Sequence, residues 1–443
     1  MILSFTVSNY RSFKDEVTFS MMPSSRVKDV HNEHLTSEGV LRVGVIYGAN
    51  GAGKSNLFKA LARLKDLASS VTYLPRDPFR FSRQEDIPTL FDLIFSTGGR
   101  RFRYGVAEGN SGILEEWFSC YDENDSEHVI YERKITEDGT PKIVTNFSED
   151  TGNDRLRALA TVGVTHSRTF LASAFANLQE GYYGDLAPVL MWLEKLQLVS
   201  PSATVGSLAR MLSNGGFREF ASGILRFAST GVNRLKIEKK ELSEETLERM
   251  YPQKFGKVRE RLKRGSLPSI HLQEGLELCY ERQGGKDSFY TLSIGSEHEI
   301  SDGEAICMDI SEESDGTRRL LNLLPALFHM SSGASVFFID EIDRSMHPLL
   351  SRTFLEFFLE KCNGSQLILT THEANLLDLA LLRRDEIWFT EKDSIGATHI
   401  YPLTEFRDRG EDNLRRHYLQ GRFGAVPFLG DLASFRQAMS EEE

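Results

Sequence analysis

The residues from Gly48 to Ser55 read GANGAGKS and match the phosphate-binding pattern G-x-x-x-x-G-K-[ST]. In such a loop, glycines let the chain curl so that backbone N–H groups and a helix N-terminus point at nucleotide phosphates. The Lys54 ammonium would reach the β- and γ-phosphates, and the Ser55 hydroxyl would bind Mg²⁺. We therefore expect ATP and Mg²⁺ as cofactors. The loop residues predicted to hold them are Asn50, Gly51, Gly53, Lys54 and Ser55.

Two adjacent acids, Asp340 and Glu341, follow the apolar run SVFFI in the second half of the sequence. One carboxylate at the end of a buried strand can hold the Mg²⁺ shell, and its neighbour can orient or deprotonate the attacking water of phosphoryl transfer. Apolar strands that end in two acids are common, so the pair gains its meaning from the phosphate loop. We predict Asp340 as a metal ligand together with Ser55, and Glu341 as a catalytic residue.

Two further segments are weaker signals. The strand-like run Gln366–Thr370 continues into Thr371 and His372, which places the histidine at the edge of a parallel sheet where ligands bind. A histidine at a strand end is more often an ordinary surface residue. Ser314 and Gly316 precede the apolar helix LLNLLPALF, and a helix start of this kind is either a second anion-receptive site or a plain N-cap.

The elements that position these residues follow an α/β pattern. An apolar strand, Val43–Tyr47, enters the loop, and the helix Lys54–Ala68 leaves it with one apolar face. Leu3–Val7 and Val17–Phe19 alternate as strands do. Period-two runs between Pro88 and Tyr131 predict an antiparallel β-lobe.

A helical segment interrupts this pattern and splits the nucleotide-binding fold in sequence. The predicted helices are Asp154–Leu171, Leu186–Leu196, Val205–Leu212 and Phe217–Phe227. Without sustained heptads, a long coiled-coil arm is not expected. After strands at Glu277–Glu281 and Phe289–Ile294, the α/β order returns with Thr317–Phe328, Ser335–Ile339, His347–Lys361 and Gln366–Thr370. We predict domains at 1–150, 151–270 and 271–443.

The composition limits which partners the protein can bind and in which compartment it is expected. The net charge is −12, from 52 basic and 64 acidic residues, so nucleic acid would need a local basic patch. Arg76–Arg83 and Arg249–Arg264 are such segments, although charge runs more often only face solvent. The 4 cysteines lie far apart in the sequence, with no C-x-x-C spacing that could hold structural zinc. This pattern suggests a protein of the reducing cytoplasm. No apolar run approaches the ~18 residues of a membrane span, and the N-terminus does not resemble a signal peptide.

Together these motifs resemble the ABC-type ATPase heads of the SMC, RecF and OLD group. The chain looks most like the prokaryotic AAA ATPases of anti-phage and abortive-infection systems, including the RloA and AbiLi type. The resemblance covers nearly the whole chain. It rests on the phosphate loop and on NYRSF (Asn9–Phe13), ESDGTR (Glu313–Arg318), IDEID with a following His347-Pro348, TTH (Thr370–His372) and YLQGRFGAVP near the end.

The resemblance implies a P-loop NTPase fold and a composite site in which two heads meet, as a dimer or a higher oligomer. Ser314 and Gly316 would contact the γ-phosphate held by the partner head, that is, in trans. Glu341 would be the general base and His372 the γ-phosphate sensor, while Asp343 would lie in the loop that crosses the dimer. Arg11 falls where related heads have a basic residue near the nucleotide. A glutamine-loop residue is not marked, since nothing around Gln84 distinguishes it.

Three functions are compatible with these features. The first is a nucleotide-driven clamp or switch that serves an anti-phage system and acts on a separate nuclease or toxin. Residues 373–443 are expected to be too few for the TOPRIM nuclease that OLD proteins carry. The second is a RecF-like repair ATPase that binds duplex DNA across its closed heads. The third, a subunit that drives a membrane transporter, lacks the LSGGQ signature and ranks last.

Overall fold

A computed structural model of the 443-residue chain describes most of the sequence. The described residues are 1–70, 75–81, 87–177, 183–201, 207–250, 255–263, 269–283, 286–300, 303–333, 335–406 and 414–425.

The described residues form strands and helices that we number along the chain. The strands are β1 (Ile2–Ser8), β2 (Val17–Ser20), β3 (Val43–Gly48), β4 (Thr89–Thr97), β5 (Arg100–Gly109), β6 (Gly112–Tyr121), β7 (Glu127–Ile135), β8 (Pro141–Thr145), β9 (Leu196–Val199), β10 (Arg234–Leu242), β11 (Ser269–Gln273), β12 (Leu276–Gln283), β13 (Lys286–Glu299), β14 (Ala305–Asp309), β15 (Val336–Ile339), β16 (Gln366–Thr371), β17 (Ile387–Lys392) and β18 (Thr398–Pro402). The α-helices are α1 (Lys54–Ser69), α2 (Asp154–Val162), α3 (Phe170–Asn177), α4 (Ala187–Lys195), α5 (Leu208–Leu212), α6 (Gly215–Phe227), α7 (Glu244–Met250), α8 (Phe255–Lys263), α9 (Asp315–Ser332), α10 (Pro348–Lys361) and α11 (Leu414–Leu419).

The chain folds into two compact units that interleave in sequence. Unit 1 comprises 1–198, 335–341 and 365–443, and unit 2 comprises 199–334 and 342–364. The predicted domain limits at 150 and 270 stay a prediction.

Unit 1 holds two sheets. The first is antiparallel, with the strand order β2-β1-β4-β5-β6-β7-β8. The second has the order β18-β17-β3-β16-β15-β9, and within it β17, β3, β16 and β15 run parallel to their neighbours in that series. This parallel core with its helices confirms the predicted α/β fold of a P-loop NTPase, and the first sheet confirms the antiparallel β-lobe.

Helix α1 lies at the centre of the unit 1 core. Its apolar stripe, including Leu57, Leu61 and Leu64, is buried in one cluster with residues of both sheets. Phe58 meets Phe338 of β15 edge to face, with ring centroids 5.3 Å apart. The helix that begins at the phosphate loop is therefore fixed against the strand that leads to the two acids.

Unit 2 combines helices with a smaller antiparallel sheet. Strands β10, β13, β12 and β11 lie side by side in that order, and β14 pairs with the C-terminal end of β13. Helix α9 begins at an N-cap serine, Ser314, whose hydroxyl accepts the N–H of Thr317 at 3.1 Å. Helix α10 starts with Pro348 at its first position, where a missing N–H has no cost.

The structure differs from the expected elements in two respects. The single helix expected over Asp154–Leu171 is divided into α2 and α3, because Gly163 has φ 84° and ends α2. The mainly helical segment also contains two strands, β9 and β10, that its sequence did not indicate. Among the described residues, no helix combines the length and the apolar character needed to cross a membrane.

Candidate functional site

The phosphate loop joins β3 to α1 in unit 1, as its sequence predicted. Two of its glycines have backbone conformations that L-residues rarely adopt, with φ 79° at Gly51 and 109° at Gly53. Lys54 is 6% exposed, and its ammonium donates to the carbonyl oxygens of Gly48 at 2.6 Å and Ala49 at 3.0 Å. The loop is thus closed around the lysine, at the N-terminus of a 16-residue helix, and the dipole of such a helix favours anions at that end.

The parallel strands bring the other predicted residues to the same sheet edge. Ile339 of β15 pairs with Leu369 of β16, and Thr371 of β16 pairs with Tyr47 of β3. Because carboxyl ends of parallel strands share one edge, Asp340, the residues after β16 and the start of the loop lie side by side.

A chain of hydrogen bonds links the acids to the loop. The Ser55 hydroxyl donates to Asp340 Oδ1 at 3.1 Å, and the Thr370 hydroxyl donates to the same oxygen at 2.5 Å. Thr370 Oγ1 in turn accepts the backbone N–H of Glu341 at 2.8 Å. Asp340 and Thr370 are 3% and 0% exposed. The carboxylate predicted to bind metal is therefore held by two hydroxyls, one of them from the phosphate loop.

Glu341 has a strained backbone. Its φ is 49°, in the left-handed region that few residues other than glycine adopt. Such a conformation persists only when its surroundings hold it, and strain of this kind concentrates at functional sites. Here the Thr370 hydroxyl accepts the Glu341 N–H and so fixes the backbone from which the side chain projects, two residues after the end of β15.

Three polar side chains outside the motif hold the loop from the other side. Ser12 Oγ lies 2.7 Å from Asn56 Nδ2 and 2.8 Å from Thr398 Oγ1. Thr398 Oγ1 is also 2.9 Å from the carbonyl oxygen of Ala52, within the loop. A Cβ added to Gly53 would lie 2.2 Å from Thr398 Oγ1, so glycine is required for space as well as for φ.

His372 and Arg11 both belong to unit 1. His372 is exposed and follows β16, directly after Thr371, whose hydroxyl accepts the N–H of Glu373 at 2.9 Å. Arg11 has φ 52° and forms an ion pair with Asp77 at 3.0 Å. The roles assigned to both residues, as γ-phosphate sensor and as nucleotide contact, stay predictions.

The remaining predicted residues belong to unit 2. Ser314 caps α9, and a Cβ on Gly316 would lie 2.8 Å from the Ser345 carbonyl oxygen. The start of α9 therefore packs tightly against the loop that contains Asp343, which is 8% exposed. Ser345 itself has φ 61°. The structure thus brings Ser314, Gly316 and the Asp343 loop together within unit 2.

The other sequence candidates fall partly outside the described residues. Gln84 lies outside them, and so do Ser82 and Arg83 of the first basic segment. In the described part, Arg76 donates to the Ile87 carbonyl at 2.6 Å and Phe79 is buried, while Phe81 is 76% exposed. In the second segment, 251–254 and 264 are outside the described residues, the first two residues end α7, and α8 covers 255–263.

The donor set fits Mg²⁺. Mg²⁺ takes hard oxygen ligands at 2.0–2.1 Å in octahedral geometry, which places neighbouring ligand oxygens roughly 2.9 Å apart. Ser55 Oγ and Asp340 Oδ1 are 3.1 Å apart. The two oxygens therefore match adjacent positions of one magnesium shell, and water and phosphate oxygens would supply the rest.

The sequence did not single out four residues that the structure places at this site: Thr370, Ser12, Asn56 and Thr398. Thr370 is part of the TTH segment and Ser12 is part of NYRSF, so both belong to motifs named above, but neither was assigned a role. Asn56 directly follows the loop. Thr398 had no signal at all, because it belongs to β18, late in the chain, and reaches the loop only through sheet pairing.

Comparison with known proteins gives one family and several structures. The family model described as "AAA domain, putative AbiEii toxin, Type IV TA system" matches residues 43–157 and 200–378. No curated protein matches the chain. The SMC head domain from Thermotoga maritima has 12% identity and a TM-score of 0.39, covering 90% of this chain and 98% of that one.

Two other solved structures are similar at the same level. An Smc head with an extended coiled coil, bound to the C-terminal domain of ScpA and derived from Pyrococcus furiosus, has 12% identity and a TM-score of 0.37 over 90% of this chain and 96% of its own. An SmcHead bound to the C-winged helix domain of ScpA has 13% identity and a TM-score of 0.38 over 90% and 97%.

Proposed function

Because the chain belongs to the AAA-domain family described as putative AbiEii toxins of type IV TA systems, we propose that it binds and hydrolyses ATP with Mg²⁺ as a dimeric clamp. The observation that carries the proposal is the hydrogen-bonded series of Ser55, Asp340, Thr370 and Glu341 beside the phosphate loop. The strained backbone of Glu341 is consistent with a functional role. Directing the carboxylate at an attacking water is a role that fits the neighbouring phosphate loop.

Each residue has a distinct task in this proposal. The loop N–H groups and Lys54 would bind the phosphates, and Ser55 and Asp340 would hold Mg²⁺, which neutralises charge that develops on the phosphate oxygens. Glu341 would orient and deprotonate the water, while His372 would hydrogen bond the γ-phosphate. Ser314 and Gly316 would complete the site of a second head in trans, with Asp343 in the loop that crosses between heads.

Two single substitutions test the hydrolytic site. Lys54→Ala removes the phosphate-binding ammonium and should abolish ATP binding. Glu341→Gln keeps the size and the oxygen acceptor but cannot take a proton, so it should bind ATP, release no phosphate and elute as a larger species on a sizing column. If Glu341→Gln hydrolyses ATP at the wild-type rate, or stays monomeric with bound ATP, the catalytic assignment or the clamp is wrong.

Mixing two inactive proteins tests the action in trans. Ser314→Arg blocks the α9 start but leaves the phosphate loop intact, whereas Lys54→Ala does the reverse. Random pairing of the two should restore roughly a quarter of the wild-type hydrolysis, since half of the dimers are mixed and each mixed dimer keeps one intact site. No recovery above the two separate proteins would place the α9 start outside a shared site.

The clamp serves a larger system. We propose that closing and reopening of the heads by nucleotide controls a separate effector, a nuclease or toxin, in anti-phage defence. The description of the matched family, a putative toxin of a type IV TA system, supports this setting. Co-purification from the native host under Glu341→Gln trapping should retain a partner protein. ATPase stimulated by duplex DNA, with no partner retained, would favour the repair function instead.

A further inference from the structure

Three side chains on the segment between β2 and β3, His31, Glu33 and His34, converge in unit 1. Taking one ligand atom from each, all three atoms lie within 4.8 Å of one another. Glu33 Oε1 is 3.1 Å from His31 Nδ1 and 3.9 Å from His34 Nε2. The two imidazole rings stack, with centroids 4.9 Å apart and planes inclined by 13°. Among the described residues this is the group with metal-ligand spacing.

The second nitrogen of each histidine is already bound to the protein. His31 Nε2 lies 3.1 Å from the carbonyl oxygen of Leu379, which can only accept, so this nitrogen carries the proton. His34 Nδ1 lies 3.0 Å from both carboxylate oxygens of Glu386, which is 0% exposed. Metal-binding histidines characteristically donate their other N–H to a carbonyl or carboxylate in this way, because it fixes the ring and the tautomer. The nitrogens left over are those that face Glu33.

Buried arginines hold the turn in place. Arg42 is 3% exposed, and its guanidinium donates to the carbonyl oxygen of Glu33 at 2.9 Å, while its backbone N–H donates to that of His34 at 2.9 Å. Arg383, 1% exposed, donates to the Val30 carbonyl. His31 has φ 46°, a conformation in which histidine is more frequent than most residues. The ligand-bearing turn is therefore built into the fold and is not a loose loop.

We propose that His31 Nδ1, Glu33 and His34 Nε2 form a Zn²⁺ site, with water in the fourth position. Tetrahedral zinc with nitrogen and oxygen ligands at 2.0–2.2 Å separates neighbouring ligand atoms by roughly 3.3 Å. The 3.1 and 3.9 Å separations lie on either side of that value. Closing the site around one ion needs a new rotamer of the exposed Glu33 and a tilt of one of the two stacked imidazole rings, whose nearly parallel planes do not aim both nitrogens at one point. Two imidazoles and one carboxylate select zinc over Mg²⁺, which prefers oxygen ligands. The site is thus chemically separate from the Mg²⁺ proposed at Ser55.

Metal titration of the full chain, with any histidine tag removed and metals stripped by chelator, tests the site. Zn²⁺ binding, measured by calorimetry, should reach one ion per chain. Co²⁺ in the same site should give the visible absorption of an ion with a low coordination number. His31→Asn and Glu33→Gln should each weaken binding on the order of 100-fold or more. Glu386→Gln, which keeps all three ligands, should weaken it roughly 10–100-fold. Excess Mg²⁺ should not compete.

An exposed histidine outside the cluster provides the control. His128 pairs with Asp122 at 2.9 Å but has no third ligand in the part of the chain that the structure describes, so His128→Asn should bind zinc as the wild type does. Glu33 is 69% exposed, and Glu33→Gln should therefore fold normally, as circular dichroism can show. Absence of zinc binding by the wild type at micromolar metal would overturn the proposal. So would binding that His31→Asn and Glu33→Gln leave unchanged.

Discussion

Replacing Thr370 by valine should separate the positioning of Glu341 from nucleotide binding. Valine keeps the shape of the side chain but removes the hydroxyl that donates to Asp340 at 2.5 Å and accepts from the Glu341 N–H at 2.8 Å. The backbone N–H of Glu341, whose φ is 49°, then loses this hydrogen bond, which the fully buried Thr370 provides. The Ser55 hydroxyl still binds Asp340, so the metal ligands stay linked.

The magnitude follows from the two bonds. A hydrogen bond to a charged group contributes about 1.5–3 kcal/mol, and a typical backbone hydrogen bond, such as the one lost by the half-buried Glu341 N–H, contributes about 0.5–1.5 kcal/mol. We therefore expect Thr370→Val to lower the free energy of unfolding by about 3 kcal/mol. A misplaced water-orienting residue should slow hydrolysis on the order of 100-fold, with the Kd for ATP nearly unchanged, since the loop contacts remain.

Thr169 gives a matched control. It is 1% exposed, and its hydroxyl also donates to one group, the Leu67 carbonyl at 2.6 Å, and accepts one N–H, that of Ala172 at 3.0 Å. Thr169→Val should lose a comparable, somewhat smaller stability, about 2 kcal/mol, and keep its hydrolysis rate. Urea unfolding and phosphate release measure both quantities. If Thr370→Val hydrolyses ATP as fast as Thr169→Val, the hydroxyl does not position Glu341.

Gly53→Ala should abolish ATP binding in equilibrium dialysis, because φ is 109° and the new Cβ would lie 2.2 Å from the Thr398 hydroxyl oxygen; retained affinity would mean that the loop rearranges freely. Arg63→Met should cost about 3–5 kcal/mol in urea unfolding, since it leaves Glu108, 2.5 Å from the guanidinium and 1% exposed, as a buried charge, and adding Glu108→Met should recover part of the loss. Burial raises the pKa of Glu116 above its ordinary value of 4.5, against opposing hydrogen bonds. The folded state then holds a proton that the unfolded state releases, so this carboxyl's contribution to stability is full below pH 4.5 and falls as pH rises through the folded pKa. The stability difference between wild type and Glu116→Gln should accordingly shift against the wild type as pH rises from 4.5, and a flat difference across that window would contradict the buried, raised carboxyl.

The parallel half of unit 1 was readable from the sequence because its signals are local. An apolar strand, a glycine-rich loop and an amphipathic helix follow one another over residues 43–69, and β3 and α1 have almost the predicted limits. The same holds for β15 and β16, since a fully buried strand is a continuous apolar run that ends where the polar residues begin.

Elements that depend on contacts with residues distant in the sequence could not be predicted from the sequence. Strand β10 has the charged sequence RLKIEKKEL with only Leu235 fully buried, so its alternation is weak, and it is a strand because it pairs along its length with β13. The division of α2 from α3 depended on one glycine, Gly163, with φ 84°. Glycine inside a helical pattern lowers helix propensity by only about 1 kcal/mol, which periodicity alone outweighed.

The site shows the same division between local and distant signals. Asp340 and Glu341 were predicted from the end of one strand, but the residue that holds both, Thr370, belongs to the next strand of the sheet and is recognisable only from the register of β15 on β16. Thr398 contacts the loop from β18, far later in the sequence. Hydroxyl side chains in buried strands have no distinctive spacing, so only the sheet order reveals what they bind.

The hydrogen bonds within unit 1 bear on which step nucleotide would control. Ser55, Asp340, Thr370 and Glu341 are joined by hydrogen bonds within unit 1, so the proposed metal ligands and the proposed base belong to one and the same head. A ligand shifts an equilibrium only by its differential affinity for the two states. If Ser314 and Gly316 act in trans as we propose, the state that ATP favours is the paired one, because only there does the γ-phosphate gain a second set of donors. Hydrolysis would remove that phosphate and with it the preference, so the step that nucleotide would regulate in this proposal is the pairing of the heads.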